Sequence, residues 1–224
     1  MNEEAPKVVT VPFTAFRFID LPDTPHALFA RGELADAVSA PEGARVEVIG
    51  EEVVMSPAPD FRHSSILGEL VRAFGRAGDR IPDFPWEARF DIQINFVSQE
   101  HGYEPDLIVA AADVLEGAWK TAPQCLGADE VEMVVEVTSP RNFWRDRPPM
   151  REETTKWTGY ARAEIPYYLL IDRHPEAAHA VLYTIPDAAA GAYLDKQTWS
   201  FGEAIVLPDP FGLKIPTDKW CPWK

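Results

Sequence analysis

Two acidic residues and one lysine stand where an apolar core would exclude them. Asp106 follows Pro105 and opens the apolar run DLIVAAA; Glu136 lies inside VEMVVEV; Lys156 opens KWTGYAR, four residues before Tyr160. A carboxylate inside a buried strand costs several kcal/mol unless it is paired, hydrogen-bonded or bound to a metal. Each residue has an ordinary alternative. Pro-Asp is common turn chemistry, Glu136 could end a strand or pair with an arginine, and a helical lysine usually lies in solvent or snorkels. Together the three suit phosphodiester hydrolysis. Two hard carboxylates and a main-chain carbonyl can hold Mg²⁺, which keeps several waters. Such an ion polarises a phosphate and acidifies a bound water, and an ammonium nearby orients that water and offsets transition-state charge. Neither GxSxG nor a Cys–His nucleophile signature is present. A glycosidase-like carboxylate pair would leave Lys156 without a role.

Several elements must position these groups. Arg45–Met55 (RVEVIGEEVVM) alternates around Gly50 and predicts a β-hairpin. Ser56–Asp60 breaks it, and Asp60 can cap a helix. From Arg62 to about Gly78, Ile66, Leu67, Leu70, Val71 and Phe74 form an amphipathic helical stripe, with His63 at the inward edge of its first turn. Glu87–Val97 alternates cleanly and predicts one half-buried strand. The runs 106–112 and 131–137 predict central strands buried on both faces. Arg151–Ala163 reads as a helix and Tyr167–Ile171 as another buried strand. His179–Ile185 and Trp199–Leu207 read as closing strands. The order predicts an α/β (α+β) fold, a mixed sheet flanked by helices with extra β-hairpins. Residues 1–40 read as an N-terminal arm packing on a single domain over 41–224.

Composition sets limits. The chain has 224 residues, 46% of them hydrophobic, enough for a sizeable core. Lys and Arg number 21 against 36 Asp and Glu, a net charge of −15. Nucleic-acid contact therefore has to come from a local basic patch, not from the overall field. Two cysteines without a CxxC pair and five histidines without ligand spacing argue against a disulfide framework or structural zinc. No apolar signal-peptide core or membrane-length run is present, so a cytoplasmic location is expected.

The strings EEVVMSPAPDFRHSSILGELVRAF, YEPDLIVA, VEMVVEVTSPRN and KWTGYARAEIPYYLLID, in this order, resemble the Uma-two family. These are bacterial restriction-endonuclease-like proteins of the PD-(D/E)XK superfamily, and the resemblance covers roughly residues 45 to 215. It implies a restriction-endonuclease-like core and a metal-dependent endonuclease acting on DNA with Mg²⁺ or Mn²⁺. The alternative is a catalytically inactive binding or regulatory module on the same fold. Residue by residue, the resemblance makes Asp106 and Glu136 metal ligands, with the Val137 main-chain carbonyl as a third, and gives Lys156 the catalytic ammonium. Glu52 matches a glutamate near the site that binds metal or supports Lys156, His63 a polar residue opening the first helix, and Tyr160 the tyrosine four residues after the lysine. Two departures stand out. Thr138 occupies the place, two residues after the acid, where the superfamily usually has lysine, and the stretch 146–156 is longer than expected.

Arg141, Arg145 and Arg147, beside Phe143 and Trp144, form the densest basic and aromatic cluster and suit backbone phosphates and base stacking. The alternative is a loop balancing an acidic surface. The aromatic tail Trp220-Cys221-Pro222-Trp223 and the aromatic arm fit either docking on the domain or a homodimer.

Overall fold

The central strands form where apolar residues run without interruption. In the computed structural model, which describes residues 14–16, 20–151 and 153–224, these are β7 (Leu107–Ala111), β9 (Met133–Val137) and β10 (Tyr167–Asp172). β9 and β10 pair in parallel, β7 and β9 antiparallel. β4 (Trp86–Arg89) closes one edge beside β7. β11 (His179–Asp187) and β12 (Ala192–Ser200) extend the other, giving the order β12-β11-β10-β9-β7-β4.

Side-chain alternation divides this sheet into two packed faces. Leu107, Val109, Met133, Val135, Val137, Leu169 and Ile171 meet helix α3 (Phe61–Arg80) through Ile66, Leu70 and Phe74. The C-terminal segment covers the same face, including the short pair β13 (Ile205–Val206) and β14 (Lys214–Ile215). On the opposite face, Ile108, Ala110, Val134, Tyr168 and Leu170 meet helix α5 (Lys156–Arg162) and a second sheet. Asp106 and Glu136 have the parity of this second face, which places both toward α5.

The second sheet contains β1 (Thr14–Phe16), the hairpin β2 (Arg45–Ile49) and β3 (Glu52–Ser56), β5 (Ile94–Phe96), β6 (His101–Tyr103) and β8 (Leu126–Gly127), in the order β1-β3-β2-β6-β5-β8. Helices α1 (Pro25–Ala30) and α2 (Leu34–Ala37) cover its hairpin through Leu28, Phe29 and Leu34 against Val46, Val48 and Val53. The hairpin is thus buried on both sides. Of the arm expected over residues 1–40, residues 1–13 and 17–19 lie outside the described residues. Residues 25–30 and 34–37 are the two helices just named.

The structure corrects four sequence expectations. The strand expected over Glu87–Val97 is two strands in different sheets. The chain bends at Phe90–Gln93, where Asp91 takes a left-handed backbone with φ of 57°, and Phe90, expected inside, is exposed. The helix expected from Arg151 begins only at Lys156, because the Thr155 hydroxyl caps it by accepting the Thr158 N–H at 3.3 Å. The last long strand is β12, with β13 reduced to two residues, instead of one strand over Trp199–Leu207. Helix α4 (Ala112–Thr121) was not anticipated, although Val114, Leu115, Ala118 and Trp119 repeat at helical spacing; Leu115 and Ala118 pack half-buried on the second core face, and Trp119 is exposed. The aromatic tail docks on its own domain. The Trp220 indole donates to Glu69 at 2.6 Å, and the Trp223 ring lies near Phe143 and His174. No helix among the described residues is long and apolar enough to cross a membrane.

Candidate active site

The hairpin, the β7 and β9 strand ends, the start of α3 and the start of α5 converge on one cavity of about 190 Å³. Asp106, at the mouth of β7, is buried. Its Oδ1 accepts from Arg45 Nη1 at 2.7 Å and its Oδ2 from the Val137 N–H at 2.7 Å. His63 Nε2 lies 3.0 Å from Oδ2, an ion-pair distance without hydrogen-bond alignment. His63 is held there by the Asp60 cap, whose carboxylate accepts the His63 N–H at 2.7 Å. Burial alone would raise the Asp106 carboxyl, but His63 and Arg45 outweigh it and hold the group well below the usual carboxylate range.

Glu136 lies in the middle of the site, 2% exposed. Its Oε1 accepts from Lys156 Nζ at 3.0 Å and from the Tyr160 hydroxyl at 2.5 Å. The four-residue spacing of Lys156 and Tyr160 puts both on the α5 face toward β9. Burial pushes Glu136 up to about 7 against the pull of Lys156. Lys156 is itself only 4% exposed, and its Nζ lies 2.7 Å from Glu47 Oε1. Burial would lower the lysine, but Glu136, Glu47 and Asp146 together hold it above its ordinary value, so it stays an ammonium.

Sequence reasoning missed three members of this cluster. Glu47 stands on β2, where the alternating pattern suggested a solvent face. Both faces of the hairpin are covered, so it points inward and also accepts the Glu104 N–H at 2.9 Å. Arg45 joins Asp106 to Glu104, its Nε 3.3 Å from Glu104 Oε1. Asp146, in the loop between β9 and α5, is buried on the same cavity, and its main-chain carbonyl accepts the Tyr168 hydroxyl at 2.6 Å. Burial, then Glu136, drives the Asp146 carboxyl well above the usual range. The doubly covered hairpin could have flagged Glu47; no local signal marks Arg45 or Asp146.

Other expected residues lie elsewhere. Glu52 pairs with Arg145 at 2.6 Å, and the glutamate that touches Lys156 is Glu47. Arg147 lies 2.6 Å from the buried Asp172 and over the Phe143 ring at 4.6 Å. Arg145 and Arg147 therefore anchor their own loop, while Arg141 stays exposed at the cavity rim. Thr138, two residues after Glu136, is fully buried; its hydroxyl donates to Asp172 at 3.2 Å and accepts the Arg173 N–H at 2.8 Å.

Four buried carboxylates (Glu47, Asp106, Glu136, Asp146) share this cavity with two fixed cations, Arg45 and Lys156. Burial first, and the neighbouring carboxylates after it, raise the Glu136 and Asp146 carboxyls. The Ser56 hydroxyl, the Asn142 amide oxygen and the His63 Nδ1, all on the same cavity, have no hydrogen-bond partner among the described residues. Excess buried carboxylate beside unsatisfied polar atoms fits a hydrated divalent cation. Among the described residues no three His, Cys, Asp or Glu side chains form a ready ligand set. A cation would thus rest on two carboxylates and a main-chain carbonyl with water completing its shell, the arrangement Mg²⁺ favours. A larger cavity, about 1070 Å³, lies apart, between α4 and the β4 and β8 edges, and contains none of these groups.

Comparison with known proteins bears on the fold. A crystal structure titled as that of a putative nuclease belonging to DUF820, from Anabaena variabilis, aligns with a TM-score of 0.55 at 18% identity, covering 82% of this chain and 94% of that one. At that identity the likeness concerns the fold, the mixed α/β arrangement expected above. No curated protein matches the chain. The family described as "Uma2: Putative restriction endonuclease" matches residues 33–218, most of the length. The chain belongs to the Uma2 family.

Proposed function

We propose that this protein is a metal-dependent endonuclease that hydrolyses phosphodiester bonds in DNA. The observation carrying this is the convergence of Asp106, Glu136 and Lys156, from three different elements, on one polar cavity with more carboxylates than cations. Asp106, Glu136 and the Val137 carbonyl would hold Mg²⁺ or Mn²⁺, which when bound would supply Lewis-acid polarisation of the phosphate and a more acidic water. Lys156, fixed between Glu47 and Glu136, orients the attacking water and offsets charge developing on phosphate oxygens. Tyr160 steadies Glu136 so that its other oxygen keeps one direction. His63 and Arg45 keep Asp106 ionised. The family description and the nuclease title of the structural neighbour agree with this reading.

One observation favours the inactive-module alternative: both Asp106 oxygens already have partners in Arg45, His63 and the Val137 N–H. Plasmid nicking separates the two. Supercoiled DNA is incubated with wild type and Glu136→Gln in Mg²⁺, Mn²⁺ or EDTA, with thermal melts in parallel. Nicking that needs the metal and vanishes in a folded Glu136→Gln supports the nuclease. Wild type that neither nicks DNA nor gains melting temperature with metal makes it the inactive module.

A further inference from the structure

The protein carries a second cavity of about 590 Å³, along α3 and away from the carboxylate site. Its helical wall presents Arg72, Arg76 and Arg80, one turn apart, and its opposite wall Lys214 and Lys219. All five are exposed, and none lies within ion-pair distance of a carboxylate among the described residues. Carboxylates are abundant in a chain of net charge −15, and Arg31, Arg45, Arg89, Arg145, Arg147 and Arg173 each have one. Arg62, Arg141, Arg151, Arg162 and Lys196 also lack one among the described residues, but the groove is where five such cations stand together. The two acids on the groove do not quench it. Glu69 is engaged by the Trp220 indole, and Asp218 is exposed and in no ion pair among the described residues. Ala73, Ala77, Leu213 and Ile215 form an apolar floor between the charged walls.

We infer that this groove binds the sugar-phosphate backbone of nucleic acid at a distance from the cleavage site. The inference rests on the nuclease reading for its biological sense, though not for its chemistry. Three guanidinium forks at intervals of about 6 Å along a helix match a row of phosphates better than they match side-chain carboxylates on a flexible peptide. An apolar floor suits the sugars between them. The groove begins nine residues beyond His63, about 14 Å along the helix, and ends about 26 Å from it. At about 3.4 Å per base pair, the contact falls roughly four to eight pairs from the His63 end. It supplies the local basic patch that the acidic composition requires, and it replaces the loop arginines Arg145 and Arg147, which are committed to Glu52 and Asp172.

The test compares wild type with Arg72→Gln/Arg76→Gln/Arg80→Gln, whose side chains are exposed and whose melting temperature should match wild type. Binding of a 30-base-pair duplex is followed by fluorescence anisotropy in EDTA from 50 to 200 mM salt. Loss of three phosphate contacts should flatten the slope of log K against log salt by about 2.7. Over that range, wild type should lose affinity about 40-fold more than the variant. A control with the same charge change elsewhere, Arg31→Gln/Lys120→Gln/Lys196→Gln, should keep the wild-type slope. An unchanged slope in the groove variant, or an equal change in the control, overturns the inference. Competition by poly-glutamate as effective as by duplex would make the groove an acidic-peptide site and overturn it too. Hydrolysis of bis(p-nitrophenyl) phosphate with Mn²⁺ reads the carboxylate site alone and should not change in the groove variant. Wild type that neither nicks plasmid DNA nor gains melting temperature with metal, but shows a groove-dependent salt slope, would leave the groove standing and the nuclease reading refuted.

Discussion

Replacing Lys156 with methionine removes the only ammonium between Glu47 and Glu136 while keeping a side chain of similar reach. Breaking a buried ion pair by deleting one partner costs about 3–5 kcal/mol, because the other charge remains buried. For a chain of this size that corresponds to a fall in melting temperature of roughly 6–20 °C. The pH dependence is the sharper signature. Glu136 in the wild type titrates at about 7, raised above its unfolded value by burial and pulled down by Lys156. Without the ammonium it rises further, so above pH 7 the folded variant keeps a proton that the folded wild type has lost. Both unfolded chains are ionised there. The variant's folded state therefore binds more protons, and its stability relative to wild type falls by about 1.4 kcal/mol per pH unit. From pH 7 to 8.5 the gap should widen by about 2 kcal/mol, or roughly 4–8 °C. Below pH 7, Glu136 is protonated in both proteins, and the gap reflects what Lys156 gives to Glu47. Differential scanning fluorimetry at pH 5.5, 7.0 and 8.5 measures this directly. A gap that stays constant, or narrows toward pH 8.5, would refute the assignment of Lys156 as the counter-charge of Glu136.

Three other substitutions probe the same framework. Tyr160→Phe removes a charge-assisted hydrogen bond to Glu136 and should cost about 1.5–3 kcal/mol above pH 7, read as a lower urea midpoint with unchanged slope. Gly159→Ala places a methyl group well inside contact with the Tyr103 hydroxyl, which is buried and bonded to His101 Nδ1 at 2.8 Å. The ring cannot swing away, so a loss of about 3 kcal/mol is expected; a melting temperature within 2 °C of wild type would show that it can. Arg147→Met leaves the buried Asp172 with only the Thr138 hydroxyl and the His174 N–H. It should cost about 2 kcal/mol and raise amide exchange selectively across residues 139–155.

The elements that could be read from the chain are those whose burial is periodic. α3 has a clear stripe and a capping aspartate. β7, β9 and β10 are apolar but for Glu136 and Asp172, because both faces of their sheet are covered. The elements that escaped carry a weaker signature. β12 runs mostly along the surface, with only Tyr193 and Trp199 inside, so it repeats at no period. α4 has a helical stripe, Val114, Leu115, Ala118 and Trp119, but it is short and none of it is fully buried. Glu87–Val97 misled in the opposite way. Its alternation is real, but Ala88 points into one core and Ile94 and Phe96 into another. A period-two pattern cannot tell one strand from two that change sheets at a left-handed residue.

The site divides along the same line. Glu136 stands out as a charge inside an apolar run and Asp106 as one that opens such a run, local properties of sequence, whereas Lys156, preceded by Glu-Glu-Thr-Thr, is singled out only in combination with them and by the family resemblance. Glu47, Arg45 and Asp146 are equally buried or nearly so, yet their neighbours in sequence are ordinary, and only the packing of the hairpin and the β9–α5 loop against the main sheet brings them in. That packing also suits the proposal that Lys156, and not residue 138, supplies the ammonium. At Thr138 the side chain is enclosed between Asp172 and the Arg173 amide, where an ammonium would compete with Arg147 for Asp172. The start of α5 instead passes directly beside Glu136 and Glu47. Its cap at Thr155 fixes where the helix begins, and hence that Lys156 and Tyr160 face the same carboxylate. The long loop before α5 has the complementary task of carrying Asp146 inward, pinned by Tyr168 at its carbonyl and by Arg145 and Arg147 on either side. A change in that loop's length would shift Asp146 and the helix cap together, which makes the length of the stretch between 146 and 156 part of the site's construction.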